Sequence, residues 1–203
     1  MREVKKPDVR RSEIVDTALR LFARKGYEKT TVEAIIGELG VAKGCFYHHF
    51  RSKEELFDAC ATAAAQALTG QYVAILADTS LAAGARLVRF LDHTYRLAEA
   101  PDGILRQPQP PAVIEVDQKV STLVSTDLLP AMTDLVGDGM RSGEFDAVDA
   151  EMTATAVLGA LTNLHNVYTG RVDLDLAAHR RGVIALLVRI LGASPGLGDG
   201  RDA

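Results

Sequence analysis

The stretch Thr30-Thr31-Val32-Glu33-Ala34-Ile35-Ile36-Gly37-Glu38-Leu39-Gly40-Val41-Ala42-Lys43-Gly44-Cys45-Phe46-Tyr47-His48-His49-Phe50 decides how this chain folds. Val32, Ile35, Ile36 and Leu39 recur at helical spacing and make one apolar stripe. Thr30 and Glu33 read as a capping box, in which the Thr30 hydroxyl accepts from the Glu33 N–H and the Glu33 carboxylate reaches back to Thr30. Gly40 ends that helix. Only Gly40-Val41-Ala42 separates it from the next apolar pair, Phe46 and Phe50. So short a turn containing glycine makes two helices cross steeply, which is the geometry of a helix-turn-helix. At about 100° per residue, the side opposite the two rings carries Gly44 and His48, flanked by Cys45 and Tyr47. A short helix with that small, polar and aromatic outer face suits the DNA major groove. Periodicity alone leaves a surface helix in a plain bundle equally open.

Working outward, Ile14, Ala18, Leu21 and Phe22 predict a preceding helix that stops at Gly26, with Tyr27 folding back on its last turn. Ser52-Lys53-Glu54-Glu55 is a second capping box and opens a fourth helix through Leu56, Cys60, Ala63, Ala64, Ala67 and Leu68, expected to end near Gly70. Two helix N-termini, near Thr31 and Ser52, therefore flank the third helix. Each offers free N–H groups and a positive dipole end to a phosphate, which favours the DNA reading. The charge distribution permits it. The chain of 203 residues has a net charge of −4, but residues 1–57 hold 12 basic and 9 acidic side chains, whereas residues 58–203 hold 11 and 18. A basic end can face phosphates while an acidic body is held away from them.

The elements Thr30-Thr31-Val32-Glu33-Ala34-Ile35, Gly40-Val41-Ala42-Lys43-Gly44-Cys45-Phe46-Tyr47-His48-His49-Phe50 and Ser52-Lys53-Glu54-Glu55-Leu56 resemble the DNA-binding domain of the TetR (tetracycline repressor) family over about residues 10–60. That resemblance implies that Thr31, at the start of the second helix, and Lys53, at the start of the fourth, hold phosphates, with Thr30 beside Thr31 counted among the DNA-binding residues. It places Lys43, Gly44, Cys45 and His48 nearest base edges, and Tyr47 and His49 nearest the backbone. The helical wheel instead puts His49 beside the buried stripe. Two positions depart from the family pattern. Ala42 stands where Ser or Thr often caps the recognition helix, a loss of about 1 kcal/mol, and Ile36 stands where a small Ala is usual. Cys45 reads either as a thiol whose modification would put bulk into the groove or as a small stand-in for Ser or Thr.

The remaining sequence shows no strand alternation, repeat or Gly-rich phosphate loop, and helices are expected at about 80–99, 112–141, 148–169 and 174–191. Pro101, Pro108, Pro110 and Pro111 mark a loop beside a pocket, Pro130 should kink or split its helix, and Gly143-Glu144-Phe145 is a turn that resembles one in the family. Met152 to Gly170 contains no charge, yet includes Thr, Asn and His. Such a helix is too apolar for a plain surface and too polar for lipid. Val157, Leu161, Leu164 and Tyr168 can close its own domain. Ala156, Gly159, Ala160 and Asn163, extended by Val183, Ile184, Leu187, Val188 and Leu191, offer a face to a second copy of the chain. A homodimer built on these last two helices predicts a palindromic operator.

Phe90, His93, Arg96, Gln107, Met132, Asn163, His165, Asn166 and Tyr168 are the candidates to line a small-molecule effector pocket. The expected architecture is all-α with about nine helices: a helix-turn-helix domain at 1–56, a helical effector-binding and dimerisation domain at 57–192, and a disordered tail at 193–203. No secretory leader, membrane span, disulfide framework, metal-ligand spacing, cofactor loop or nucleophile–base pair is visible, so the reading is a cytoplasmic regulator rather than an enzyme. A DNA-binding architectural protein without a sensor is the alternative that a pocket search separates.

Overall fold

The computed structural model describes residues 7–99, 111–169, 171 and 173–193. Among them are eight helices: α1 Pro7–Lys25, α2 Val32–Leu39, α3 Lys43–His49, α4 Lys53–Leu76, α5 Ala83–Glu99, α6 Pro111–Ser142, α7 Ala150–Tyr168 and α8 Leu176–Leu191. The chain is all-helical over these residues, with one helix fewer than the expected nine. Proline-bearing residues 101–110 and the tail beyond 193 lie outside the described residues, as does Gln107. Two compact units emerge, one from 7–66 with 111–120, the other from 67–99 with 121–193.

The first unit closes around Ile14, Ala18, Leu21, Ile35, Phe46, Phe50, Leu56 and Cys60, all buried. The stripes read from spacing are the ones that pack. Gly26 and Gly40 adopt left-handed backbone at φ 79° and 64°, the conformation that turns the chain out of α1 and α2. Tyr27 folds back as expected, its ring 5.4 Å from that of Phe22.

Three expectations need correction, and a fourth loses one of its two alternatives. The cap of α2 is Thr31, whose hydroxyl accepts from the Ala34 N–H at 3.1 Å. Thr30 is fully buried and donates to the Gly26 carbonyl at 2.8 Å. Either threonine could start the helix by sequence, and the core claims the first. At the next box Ser52 accepts from Glu55 N–H, but Glu55 reaches back to the Arg51 N–H at 2.7 Å. Gly70 does not end α4, which continues to Leu76 because Tyr72 and Leu76 are buried and hold the extra turns. Pro130 does not split α6. Its one missing backbone hydrogen bond is outweighed by Leu128, Met132, Leu135 and Val136, buried on either side of it.

In the second unit the Gly143-Glu144-Phe145 turn ties elements together. Gly143 is left-handed at φ 77°. Both Glu144 oxygens accept from the first N–H groups of α5, Ala83 at 3.1 Å and Gly84 at 2.9 Å, so a carboxylate from the α6–α7 turn caps a helix that brings no cap of its own. Phe145 is buried against Gly139, where an added Cβ would fall 2.1 Å from the ring. Gly139→Ala is therefore expected to lower stability by about 1–3 kcal/mol. A denaturant titration reads this directly, and an unchanged midpoint would contradict the packing.

Candidate nucleic-acid interface

The third helix has only seven residues and its N-cap, Ala42, makes no side-chain hydrogen bond. Helices this short do not persist alone in water. Phe46 and Phe50, 0% and 1% exposed with ring centroids 5.9 Å apart, anchor it to the core. Anchoring one side leaves the other outward: Lys43, Gly44, Tyr47 and His48 are exposed, while Cys45 and His49 are half-buried. The wheel and the family pattern disagreed over His49. It sits at the margin, partly shielded, and burial lowers its pKa first, with the charges of His48, Arg11 and Arg10 acting in the same direction.

Both lysines are held. Lys43 pairs with Glu33 on α2 at 2.9 Å, and the Tyr47 ring lies 5.9 Å from its ammonium. The pair is exposed, and each partner favours the other's charged form, raising the lysine pKa and lowering that of Glu33. Lys53 donates to the Tyr27 carbonyl at 3.0 Å and the Thr30 carbonyl at 3.2 Å, with its ammonium 3.9 Å from the Tyr27 ring centroid. It thus fastens the turn between α1 and α2 while standing at the N-terminus of α4. The Tyr27 ring is in turn 4.4 Å from Phe57.

Of the sequence candidates, Thr31 lies exposed at the N-cap of α2, and Lys43, Gly44, Tyr47 and His48 lie exposed on α3. Thr30 does not join them, because its hydroxyl is spent inside the core. Arg11 was missed: it is exposed, and its guanidinium lies 4.9 Å from the Phe50 ring centroid at the C-terminal end of α3. Spacing could not reveal it, since Arg11 and Phe50 are 39 positions apart.

The described pocket candidates divide between core and surface. Phe90 and Met132 are core residues, and Phe90 lies edge-on to Tyr72 at 4.9 Å. His93 meets Gln71 at 3.0 Å, Asn166 accepts from Ser121 at 3.3 Å, and Tyr168 packs on His179 at 4.5 Å. His165 accepts from the Thr169 hydroxyl through its backbone carbonyl, while Arg96 and Asn163 are exposed. A cavity of about 520 Å³ in the second unit is lined by Val73, Leu76, Arg86, Asp127, Pro130 and Asp134 among others, and by none of these candidates. On α7, Ala156, Gly159 and Asn163 are exposed and Ala160 is half-buried. On α8, however, Val183, Leu187 and Leu191 are buried in their own unit and only Ile184 and Val188 are half-buried. The first three are therefore core residues: in helix periodicity, a stripe that closes a helix's own unit looks the same as one that meets a partner.

Residues 14–60 match the family described as "Bacterial regulatory proteins, tetR family". The HTH-type transcriptional repressor KstR2 of Rhodococcus jostii is 36% identical over 91 residues, 45% of this chain and 44% of its own length. The first curated relatives are matched over only 16–44% of their lengths. Among solved structures, a TetR-family transcriptional regulator from Pectobacterium atrosepticum superposes with a TM-score of 0.72 at 20% identity, covering 96% of this chain and 98% of that one. RolR in complex with resorcinol gives 0.68 at 19%, covering 97% and 94%. These likenesses are of fold.

Two measurements follow from contact type. Lys53→Ala is expected to weaken DNA binding alike for all sequences and flatten its salt dependence by about one unit, whereas Lys43→Ala changes sequence preference at a cost of about 1–3 kcal/mol. Fluorescence anisotropy across salt and operator variants separates the two, and equal effects on preference would contradict the assignment. The lowered pKa leaves His49 more neutral near pH 7 than a free imidazole. A phosphate favours the protonated ring, so affinity should rise as pH falls through the imidazole range. His49→Gln should remove part of that rise, and an identical pH profile would exclude His49 from the interface.

Proposed function

We propose that this chain, whose residues 14–60 match the family of bacterial regulatory proteins described as tetR, is a cytoplasmic, ligand-responsive transcriptional regulator. In this reading it represses by holding a palindromic operator as a homodimer and lets go when a small molecule binds. The observation that carries the reading is the outward face of α3, Lys43, Gly44, Tyr47 and His48, presented by two phenylalanines locked behind it. Repression draws support from KstR2, which is described as a repressor, and ligand response from RolR, solved with resorcinol. The role is binding, with no catalytic step.

The dimer reading rests on α7. Met152, Ala156, Gly159, Asn163 and Val167 are exposed along one stripe, with Met152 at 68% and Val167 at 49%. Large apolar side chains beside small ones suit close approach of a second helix, and Leu186 on α8, 38% exposed, adds to the apolar surface. Two copies would then set two recognition helices about one DNA turn, or a small multiple, apart. An effector can weaken operator binding only by its differential affinity for the two spacings. Helix α4 starts at Lys53 and continues to Leu76, so the helix that carries a phosphate contact also enters the second unit.

Gly159 provides the test, since an added Cβ there meets nothing within 4 Å. Gly159→Arg should leave the subunit folded, give a monomer in sedimentation and lower affinity for DNA from upstream of its own gene by about tenfold or more. A variant that stays dimeric with full affinity would sink the proposed interface.

A further inference from the structure

A helix in the major groove lies between the phosphates of two strands. Seven residues make α3 about 10 Å long, close to the roughly 12 Å width of that groove, so its ends reach toward the backbones on either side. The two ends are not equivalent. The N-terminal end carries the positive pole of the helix dipole, whereas the C-terminal end, at His48 and His49, carries the negative pole and repels a phosphate unless cations cover it. That cover comes from another helix.

Arg11 on α1 is exposed, and its guanidinium lies 4.9 Å from the ring centroid of Phe50, the residue that caps the C-terminus of α3. Among the described residues it makes no ion pair. The cations beside it are spoken for. Arg10 is held by Glu13 at 2.6 Å, and Arg51, also exposed, has the Glu55 carboxylate on its own backbone N–H at 2.7 Å. Both Arg11 and Arg10 act on the His49 ring: after burial and the charge of His48 they lower its pKa further, with Asp8 opposing. Arg11 is therefore the uncommitted charge within electrostatic reach of that end of α3. Its position is also prepared. Phe50 is 1% exposed and fixed by the core, and a guanidinium stacked on a fixed ring keeps its edge donors outward while losing little further freedom on contact.

We propose that Arg11 is a phosphate contact of the DNA-bound protein: its guanidinium donates to the backbone phosphate that passes the C-terminal end of α3, beside His49, so that α1 joins α2, α3 and α4 in the interface. The contact reads no base. It fixes how far along the groove α3 lies, and so which base edges Lys43 and His48 can meet. The proposal rests on the reading of the chain as a DNA-binding regulator and adds to it a residue from outside the helix-turn-helix.

Two variants of the full chain test it against duplex DNA from upstream of its own gene. Arg11→Met keeps an apolar stem over Phe50 and removes the charge; Arg11→Lys keeps the charge. Arg11→Met should weaken binding by about three- to tenfold on this DNA and on an unrelated duplex alike, and flatten the salt dependence by about one unit per bound subunit, while Arg11→Lys recovers most of that slope. A scan in which single phosphates are replaced by neutral methylphosphonates then locates the contact. One position in each half-site should weaken the unsubstituted protein by a similar factor and leave Arg11→Met unaffected, because the same charge pair has already been lost. A merely structural role for Arg11 leaves every phosphate position equally costly in both proteins, and that result overturns the proposal. Unsubstituted protein that binds no duplex removes the regulator reading and this contact with it, whereas normal binding that is indifferent to Arg11→Met removes the contact alone.

Discussion

The orientation of one seven-residue helix governs the surface proposed to face DNA, and two phenylalanines set it. Phe46 and Phe50 place their rings in the cluster formed by Ile14, Leu21, Ile35 and Leu56. Burying each is worth roughly 2–3 kcal/mol. That is ample against the absence of a cap at Ala42 and the cost of nucleating so short a helix. With the rings fixed and Gly40 turning the chain at φ 64°, the side chains of Lys43, Tyr47 and His48 have nowhere to face but solvent.

Electrostatics then arranges what the packing exposes. Each of the two motif lysines is held before any DNA arrives, Lys43 by a carboxylate and Lys53 by two carbonyls and a ring. The Lys43–Glu33 pair is exposed and contributes little to stability, so in the proposed complex a base edge or phosphate would compete with a weak partner. Lys53 is different, since its contacts also close the α1–α2 turn, and its replacement therefore touches the scaffold as well as the interface.

Much of the first unit was legible because short-range rules agreed with one another there. Helical stripes, two left-handed glycines and paired aromatics four residues apart all specified the same packing. The shift of the cap from Thr30 to Thr31 was not legible, because the two hydroxyls are chemically equal and only the Gly26 carbonyl, reached through the folded turn, distinguishes them. In the second unit, periodicity named buried faces without saying which neighbour buries them. Val183, Leu187 and Leu191 look like an interface in sequence and are core in the fold. The cavity escaped for the same reason: Arg86 and Asp138 are 52 positions apart, and no local pattern brings them together. Gln107 and the proline-rich stretch around it fall outside the described residues.

The most direct measurement of the central claim is methylation protection of guanine N7, which lies in the major groove, on DNA from upstream of the chain's own gene. The account predicts two protected patches related by a two-fold axis and separated by one helical turn or a small multiple, both lost when Phe46 and Phe50 are replaced by alanine. Guanine N7 left fully reactive across DNA that the protein binds, or a single patch unaffected by Lys43→Ala, would contradict it.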